Sequence, residues 1–253
     1  MTWVGRISYG AGWAAYRGNA DQQTPHAHAT LQLVVASHGD VVVDHGPGAI
    51  AAAGVLLAPQ VRHFTRPSTA DLTFVYAEPQ SLLGRTLLSH LNGRKVAPAH
   101  GGIVALVRSR LGIEDLVARL STQERTALDG RLTRALQSIE ANIGSRTAVS
   151  DAARAAELSA SRLRALAQSE LGLPLAQWIV WRKVERAGRA LAGGESLAQA
   201  AAVGGFADQA HLTRTMRRAF GVTPGAVLQP LLKNSIDVSL HGARPRGRAK
   251  SNP

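Results

Sequence analysis

The sequence predicts an α+β chain in two parts. A strand-rich amino-terminal half forms a β-barrel with following helices. An all-α carboxy-terminal half carries two helix-turn-helix units joined by a long helix. Three observations predict this. Short apolar runs broken by Gly, Pro, Asp and Ser fill the first eighty residues. From Ser81 the apolar spacing becomes helical and stays so to about residue 232. Two Gly-punctuated pairs of short helices then flank one amphipathic segment of 18 residues, Leu175 to Ala192. The divisions that follow are 1–80, a barrel; 81–122, a helical linker; 123–235, the all-α domain; and 236–253, a basic tail.

Taken in order, Leu31–Val35, Val41–Val43, Val55–Leu57 and Leu72–Tyr76 read as strands. Several short strands at that spacing make a barrel or sandwich. Leu82, Leu83, Leu87, Leu88 and Leu91 form one helical stripe, and Ile103 to Leu120 carries a second. Asn92-Gly93 and Pro98 to Gly102 supply the breaks between them. These two helices serve either as a dimer interface or as a cover for their own barrel. Asp129 to Asn142 is the first helix of the all-α domain, burying Leu132, Leu136 and Ile139, and Gly144 ends it. His241 to Pro253, rich in Pro, Gly, Arg and Ser, is expected to be disordered.

Composition narrows the function classes. In 253 residues the hydrophobic share is 45% but the aromatic share only 4%, so alanine carries much of the packing. No run of about 18 apolar residues occurs and no basic-then-apolar leader opens the chain, which predicts a cytoplasmic protein with no membrane partner. The absence of cysteine excludes disulfides and thiolate metal sites. No nucleophile–base pair, paired carboxylate, phosphate loop or dinucleotide fingerprint stands out, so neither an enzyme nor a cofactor is expected. Net charge is +12, of which residues 1–122 hold +3, 123–235 hold +6 and 236–253 hold +3. That imbalance fits a nucleic-acid-binding half with a basic tail. The competing explanation is a general preference for Arg, since only four of the 29 cations are Lys.

The motifs sharpen this. Leu197 to Val203 is a short Ala-rich helix, and Gly205 provides the turn. A short helix follows, closed by Gly221 and Pro224, with Leu212, Met216, Ala219 and Phe220 on one buried stripe. Gln209, Thr213, Arg214 and Arg217 share the opposite face, and Arg217 and Arg218 are read as phosphate or solvent contacts. Gln and Arg are residue types that read base edges, and Arg also grips phosphate. Upstream lies a second unit: Val149 to Glu157 supports, Leu158-Ser159 turns, and Ser161 to Leu171 is presented. Leu163, Leu166, Ala167 and Leu171 point inward, leaving Ser161, Arg162, Arg164 and Ala165 outside. Ser159 is the N-cap, and Pro174 opens the connecting helix where proline is tolerated. Trp178, Trp181, Val184 and Leu191 are the inward stripe of that helix. Its Arg182, Lys183, Arg186 and Arg189 are expected to be available for phosphates or solvent. Eighteen residues at about 1.5 Å each make a rod of roughly 27 Å. With the helix widths added, the presented helices stand on the order of 34 Å apart, one turn of B-DNA.

From about Leu128 to Leu232 the chain resembles the DNA-binding domain of AraC/XylS-type bacterial transcription regulators. The matching residues are Ala153…Leu158-Ser159…Leu163, then Gly172-Leu173-Pro174…Val184-Glu185-Arg186-Ala187. The most specific block is Gly205-Phe206-Ala207-Asp208-Gln209…Arg214…Phe220-Gly221-Val222-Thr223-Pro224. The resemblance implies a seven-helix domain that binds promoter DNA and recruits RNA polymerase. It implies base contacts from Ser161, Arg162, Arg164 and Ala165 and from Gln209, Ala210, Thr213 and Arg214. The chain departs from the family pattern at Ala165, Ala167, Lys183, Leu212 and Met216.

The amino-terminal half resembles the small-molecule-sensing cupin barrel common in that family. The likeness rests on His26-Ala27-His28, the Gly39 turn and Gly54 to His63. His26 and His28 would share a strand face with Thr30, Gln32 and Val34, and His63 would join them. Gln32 stands where a cupin enzyme has a carboxylate, so no metal is expected. His26, His28, Gln32, Arg62 and His63 are instead the candidate contacts of a small effector. The expected function is a sequence-specific, effector-controlled transcription regulator, with a homodimer as its assembly. The alternatives are a metal-dependent cupin enzyme carrying a DNA-binding domain and a non-specific architectural nucleic-acid-binding protein.

Overall fold

The computed structural model describes residues 3–46, 48–109, 111–122 and 127–226. The basic tail at 236–253 and the helix expected to run on to residue 232 lie wholly or partly outside them. Among the described residues nine strands come first: β1 (Gly5–Gly10), β2 (Trp13–Gly18), β3 (Leu31–Ala36), β4 (Val41–His45), β5 (Gly48–Ala52), β6 (Gly54–Leu57), β7 (His63–Thr65), β8 (Leu72–Ala77) and, after the first helix, β9 (Val96–Pro98). All pairings are antiparallel. They make a six-stranded sheet in the order β1-β2-β8-β3-β6-β9 and a three-stranded sheet in the order β5-β4-β7. The four strands read from sequence are present. β1, β2, β5, β7 and β9 are additional.

Period-two alternation explains why β3 is buried along its whole length. Leu31, Leu33 and Val35 face one way, joined by Leu56 of β6 and Val75 of β8. Val34 and Ala36 face the other way, into a core shared with Val41 and Val43 of the small sheet. The two sheets therefore pack on one shared core without joining through strand pairing, and the outer face of the large sheet needs a cover. Helices α1 (Leu82–Leu91), α2 (Gly101–Arg108) and α3 (Ile113–Leu120) provide it. Leu83, Leu87 and Leu91, with Ile103, Val107, Leu116 and Leu120, pack onto that face. Their apolar stripes cover the chain's own sheet.

The single helical stripe read from Ile103 to Leu120 is two helices. Ser109 caps the first and Gly112 begins the second. Arg108 is tied by Nε to the Ala36 carbonyl at 2.9 Å and by Nη2 to that of Gly39 at 2.7 Å, which fixes where α2 stops.

The carboxy-terminal half holds α4 (Gly130–Ala141), α5 (Ala148–Ala155), α6 (Ala160–Leu171), α7 (Leu175–Ala192), α8 (Leu197–Val203) and α9 (Gln209–Phe220). The seventh helix implied by the family resemblance would fall beyond residue 226, outside the described residues. Caps set the boundaries. The Ser159 hydroxyl accepts from Arg162 N–H, Ser196 and Gln199 form a reciprocal capping box, and Asp208 accepts from His211 N–H. In the α8–α9 turn, Gly205 has φ +71° and lies against Gly144. An added Cβ would come within 2.6 Å of the Ile143 carbonyl oxygen. Only glycine permits that crossing.

Candidate nucleic-acid interface and sensor cleft

Helices α5 and α6 make one helix-turn-helix, α8 and α9 the other, and α7 connects them. Leu163, Ala167, Leu171, Leu212, Met216 and Ala219 are buried. On the opposite faces Ser161, Arg162, Arg164, Ala165, Gln209, Ala210, Arg214, Arg217 and Arg218 are exposed, and Thr213 is half-buried. Thr213 Oγ1 donates to the Gln209 carbonyl at 2.8 Å, leaving its lone pairs outward. Two polar and cationic helix faces are thus open to solvent with the amino-terminal half docked in place.

The cations of α7 are engaged rather than free, which corrects the reading of that helix. Arg182 ion-pairs with Glu140, with Glu185 and, at 3.1 Å, with Glu78. Arg189 reaches Glu185 at 2.8 Å and the Gly10 carbonyl of β1 at 2.9 Å. Arg186 donates to the Glu140 carbonyl at 2.8 Å. Lys183 lies 5.0 Å over the Phe206 ring, and burial pulls its pKa down. Against the pull of both arginines, burial pushes the Glu185 carboxyl above its usual range. Glu78, just after β8, also accepts from Trp181 Nε1 at 2.9 Å. A ladder of charges therefore fastens the long helix to the strand-rich half. Sequence reading missed it because its partners are far apart in the chain. The one local signal was Arg182, Glu185 and Arg189 at i, i+3 and i+7.

Beside this ladder an apolar cleft, partly open to solvent, lies between the two halves. Tyr9, Tyr16, Tyr76 and Trp3 line it from the strand-rich half, and Trp181, Val184, Met216 and Phe220 from the helices. Its polar groups are few: Gln23, Glu185 and the tyrosine hydroxyls. Burial pushes the Tyr9, Tyr16 and Tyr76 phenols well up, so they are neutral donors.

The structure brings together four of the five effector candidates and separates the fifth. His26, His28 and His63 are 1%, 3% and 2% exposed, and Gln32 is fully buried among them. Gln32 Oε1 lies 2.8 Å from His28 Nε2 and 3.1 Å from His63 Nε2. Arg62 is exposed. His26 and His28 precede β3 instead of lying on it, and His26 pairs with His63 in an isolated bridge. Burial first, and then the other imidazoles, lower the His26 pKa to about 3 and that of His63 to about 2, and burial lowers His28 too. All three rings are neutral at ordinary pH.

The histidine group meets the end of α9. His28 stacks on Phe220 with centroids 5.7 Å apart, and Tyr76 touches both rings. The Gly221 carbonyl accepts from Thr24 N at 3.0 Å. Gly221 has φ +71°, and an added Cβ there would strike the Thr24 carbonyl and stand 2.7 Å from His26 Nδ1.

A strand-rich half docked on two helix-turn-helix units defines the class, a helix-turn-helix protein with a strand-rich half appended. Residues 152–229 match a protein family described as a helix-turn-helix domain. No curated protein matches the sequence. Among solved structures the fold is similar to that of ToxT from Vibrio cholerae O395, with 13% identity, a TM-score of 0.59, and coverage of 87% of this chain and 98% of ToxT. Unsaturated-fatty-acid-bound ToxT from Vibrio cholerae strain SCE256 gives 12% identity, a TM-score of 0.54 and coverage of 85% and 94%. Among the described residues no helix is long and apolar enough to cross a membrane.

Proposed function

We propose that this chain is a sequence-specific transcription regulator whose DNA binding responds to a small molecule held between its halves. The observation that carries the reading is the exposure of both presented faces. Ser161, Arg162, Arg164 and Ala165 on α6 are the base-facing set of one unit. Gln209, Ala210, Thr213 and Arg214 on α9 are that of the other, with Arg217 and Arg218 on phosphates. Promoter DNA, RNA polymerase and a second copy of the chain are the partners this reading implies.

The aromatic cleft, continuous through Tyr76 and Phe220 with His28, is the proposed effector region. ToxT is solved with an unsaturated fatty acid bound. In this chain the cationic groups nearest the cleft, Arg182 and Arg189, are already paired with Glu185. That favours a neutral, aromatic or apolar effector able to accept from tyrosine hydroxyls over a free carboxylate. An effector that binds only one arrangement of the halves shifts the population toward it.

Selecting bound fragments from genomic DNA, with and without candidate effectors, tests the reading. The expected result is one recovered motif, held about 10³-fold or more above random duplex at physiological salt. Equal affinity for all duplexes with a steep salt dependence would instead mark an architectural protein.

A further inference from the structure

We infer that His26, His28 and His63 form a three-imidazole site for a divalent transition-metal ion, with Gln32 Oε1 as a fourth donor. The argument rests on which nitrogen of each ring carries its proton. His26 Nδ1 lies 2.9 Å from the Thr24 carbonyl, His28 Nδ1 2.9 Å from that of Thr30, and His63 Nδ1 2.9 Å from that of Val61. A carbonyl oxygen only accepts, so each of these carbonyls calls for a proton on Nδ1. The Gln32 amide oxygen, which also only accepts, faces His28 Nε2 and His63 Nε2 from the other side. A neutral ring has one proton for both sides, and the nitrogen left without it presents a lone pair; in His28 the Thr30 hydroxyl, 3.0 Å from Nδ1, can donate to that nitrogen and leave the proton on Nε2.

Those lone pairs converge. One ligand atom from each ring lies within 4.8 Å of the others, and the ring centroids stand 4.4 to 5.7 Å apart. His26 Nε2 has no hydrogen-bond partner, nor has Gln32 Nε2, while Gln32 Oε1 is turned to the other two rings. Bare imidazole nitrogens and an amide oxygen around one point repel one another, and a cation among them relieves that repulsion. Nδ1–H groups held by backbone carbonyls are also what orients metal-binding histidines. The donor set selects the metal class. Imidazole suits zinc, nickel, cobalt, copper or iron, whereas magnesium and calcium need oxygen ligands.

The rival arrangement turns the Gln32 amide over, so that its NH₂ donates to His28 and His63 and no ion is needed. It still leaves His26 Nε2 bare.

The test uses the full chain made without a polyhistidine tag, stripped with chelator and titrated with Zn²⁺ or Co²⁺. The expected result is about one retained Zn²⁺ per chain, a rise in Tm on saturation, and Co²⁺ absorption bands typical of nitrogen ligation. His63→Ala and His26→Ala should lose that equivalent. His26 makes only one side-chain hydrogen bond, so its variant perturbs the fold least. The stacked pair His90 and His100, with centroids 6.2 Å apart, is the obvious competing binder. The double variant His90→Ala/His100→Ala should keep the ion. A folded wild-type chain that retains no ion overturns the inference, as does loss of the ion in the His90/His100 variant with retention in His26→Ala.

Discussion

At the residue scale, Arg214 on the presented face of α9 and Gly221 at its C-cap are the helix's two working points. Arg214 is exposed on the presented face, and a bidentate Arg–guanine contact is worth about 1–3 kcal/mol. Arg214→Ala should therefore lose that much on the selected motif and relax preference at one base position, read by competition with single-base variants. An equal loss on random DNA would reassign Arg214 to phosphate. Gly221→Ala carries two penalties, a positive φ and a collision with Thr24 across the interface. Gly172, at φ +70°, has open space around it and isolates the first. Gly172→Ala should cost about 1 kcal/mol, and Gly221→Ala clearly more, both measured by urea unfolding. Equal costs would mean that the collision relaxes freely. Gly221 was legible as a helix stop. Its contact with Thr24, 197 positions away, was not.

At the element scale, the long helix α7 is fixed to the strand-rich half through Glu78. Removing one partner of a fully isolated buried ion pair costs about 3–5 kcal/mol. Arg182 keeps Glu140 and Glu185 when Glu78 is lost, so Glu78→Ala should cost less, about 1–3 kcal/mol. Hydrogen exchange should speed up in β1 and α7 and stay unchanged in α1 to α3. Uniform acceleration would show that the ladder stabilises the whole fold and not the joint. Elements with strong periodicity were legible before the structure: β3, β4, β6, β8, α1, α4 and the helices of both helix-turn-helix units. The missed strands lack the signal. β1 and β2 carry glycine at both ends or one, β5 is Gly-Ala-Ile-Ala-Ala, and β9 is three residues ending in Pro98. They form because neighbours offer hydrogen bonds, which sequence periodicity does not report. The α2–α3 break was hidden because the apolar stripe runs on across it.

At the scale of the whole molecule, the charge excess lies with the DNA-binding half and the tail. Residues 236–253 hold four cations and one anion. Deleting 241–253 should weaken binding to every duplex alike and flatten the dependence of log K on log salt. A sequence-selective loss would assign the tail a base contact. The outward faces of α6 and α9 were legible because polar and apolar residues sort cleanly on a short helix. The aromatic cleft was not, because strands and helices each contribute only half of its wall.

The last turn of α9 belongs to two machines at once. Phe220 is a stopper leaning on His28, and the next residue is stitched to the lip of the β-structure at Thr24. Under the proposed reading no relay through intervening layers is required for the chamber to influence the rod proposed to face the promoter. Whatever swells or tightens the chamber's mouth would push or pull that rod directly, by its own tail.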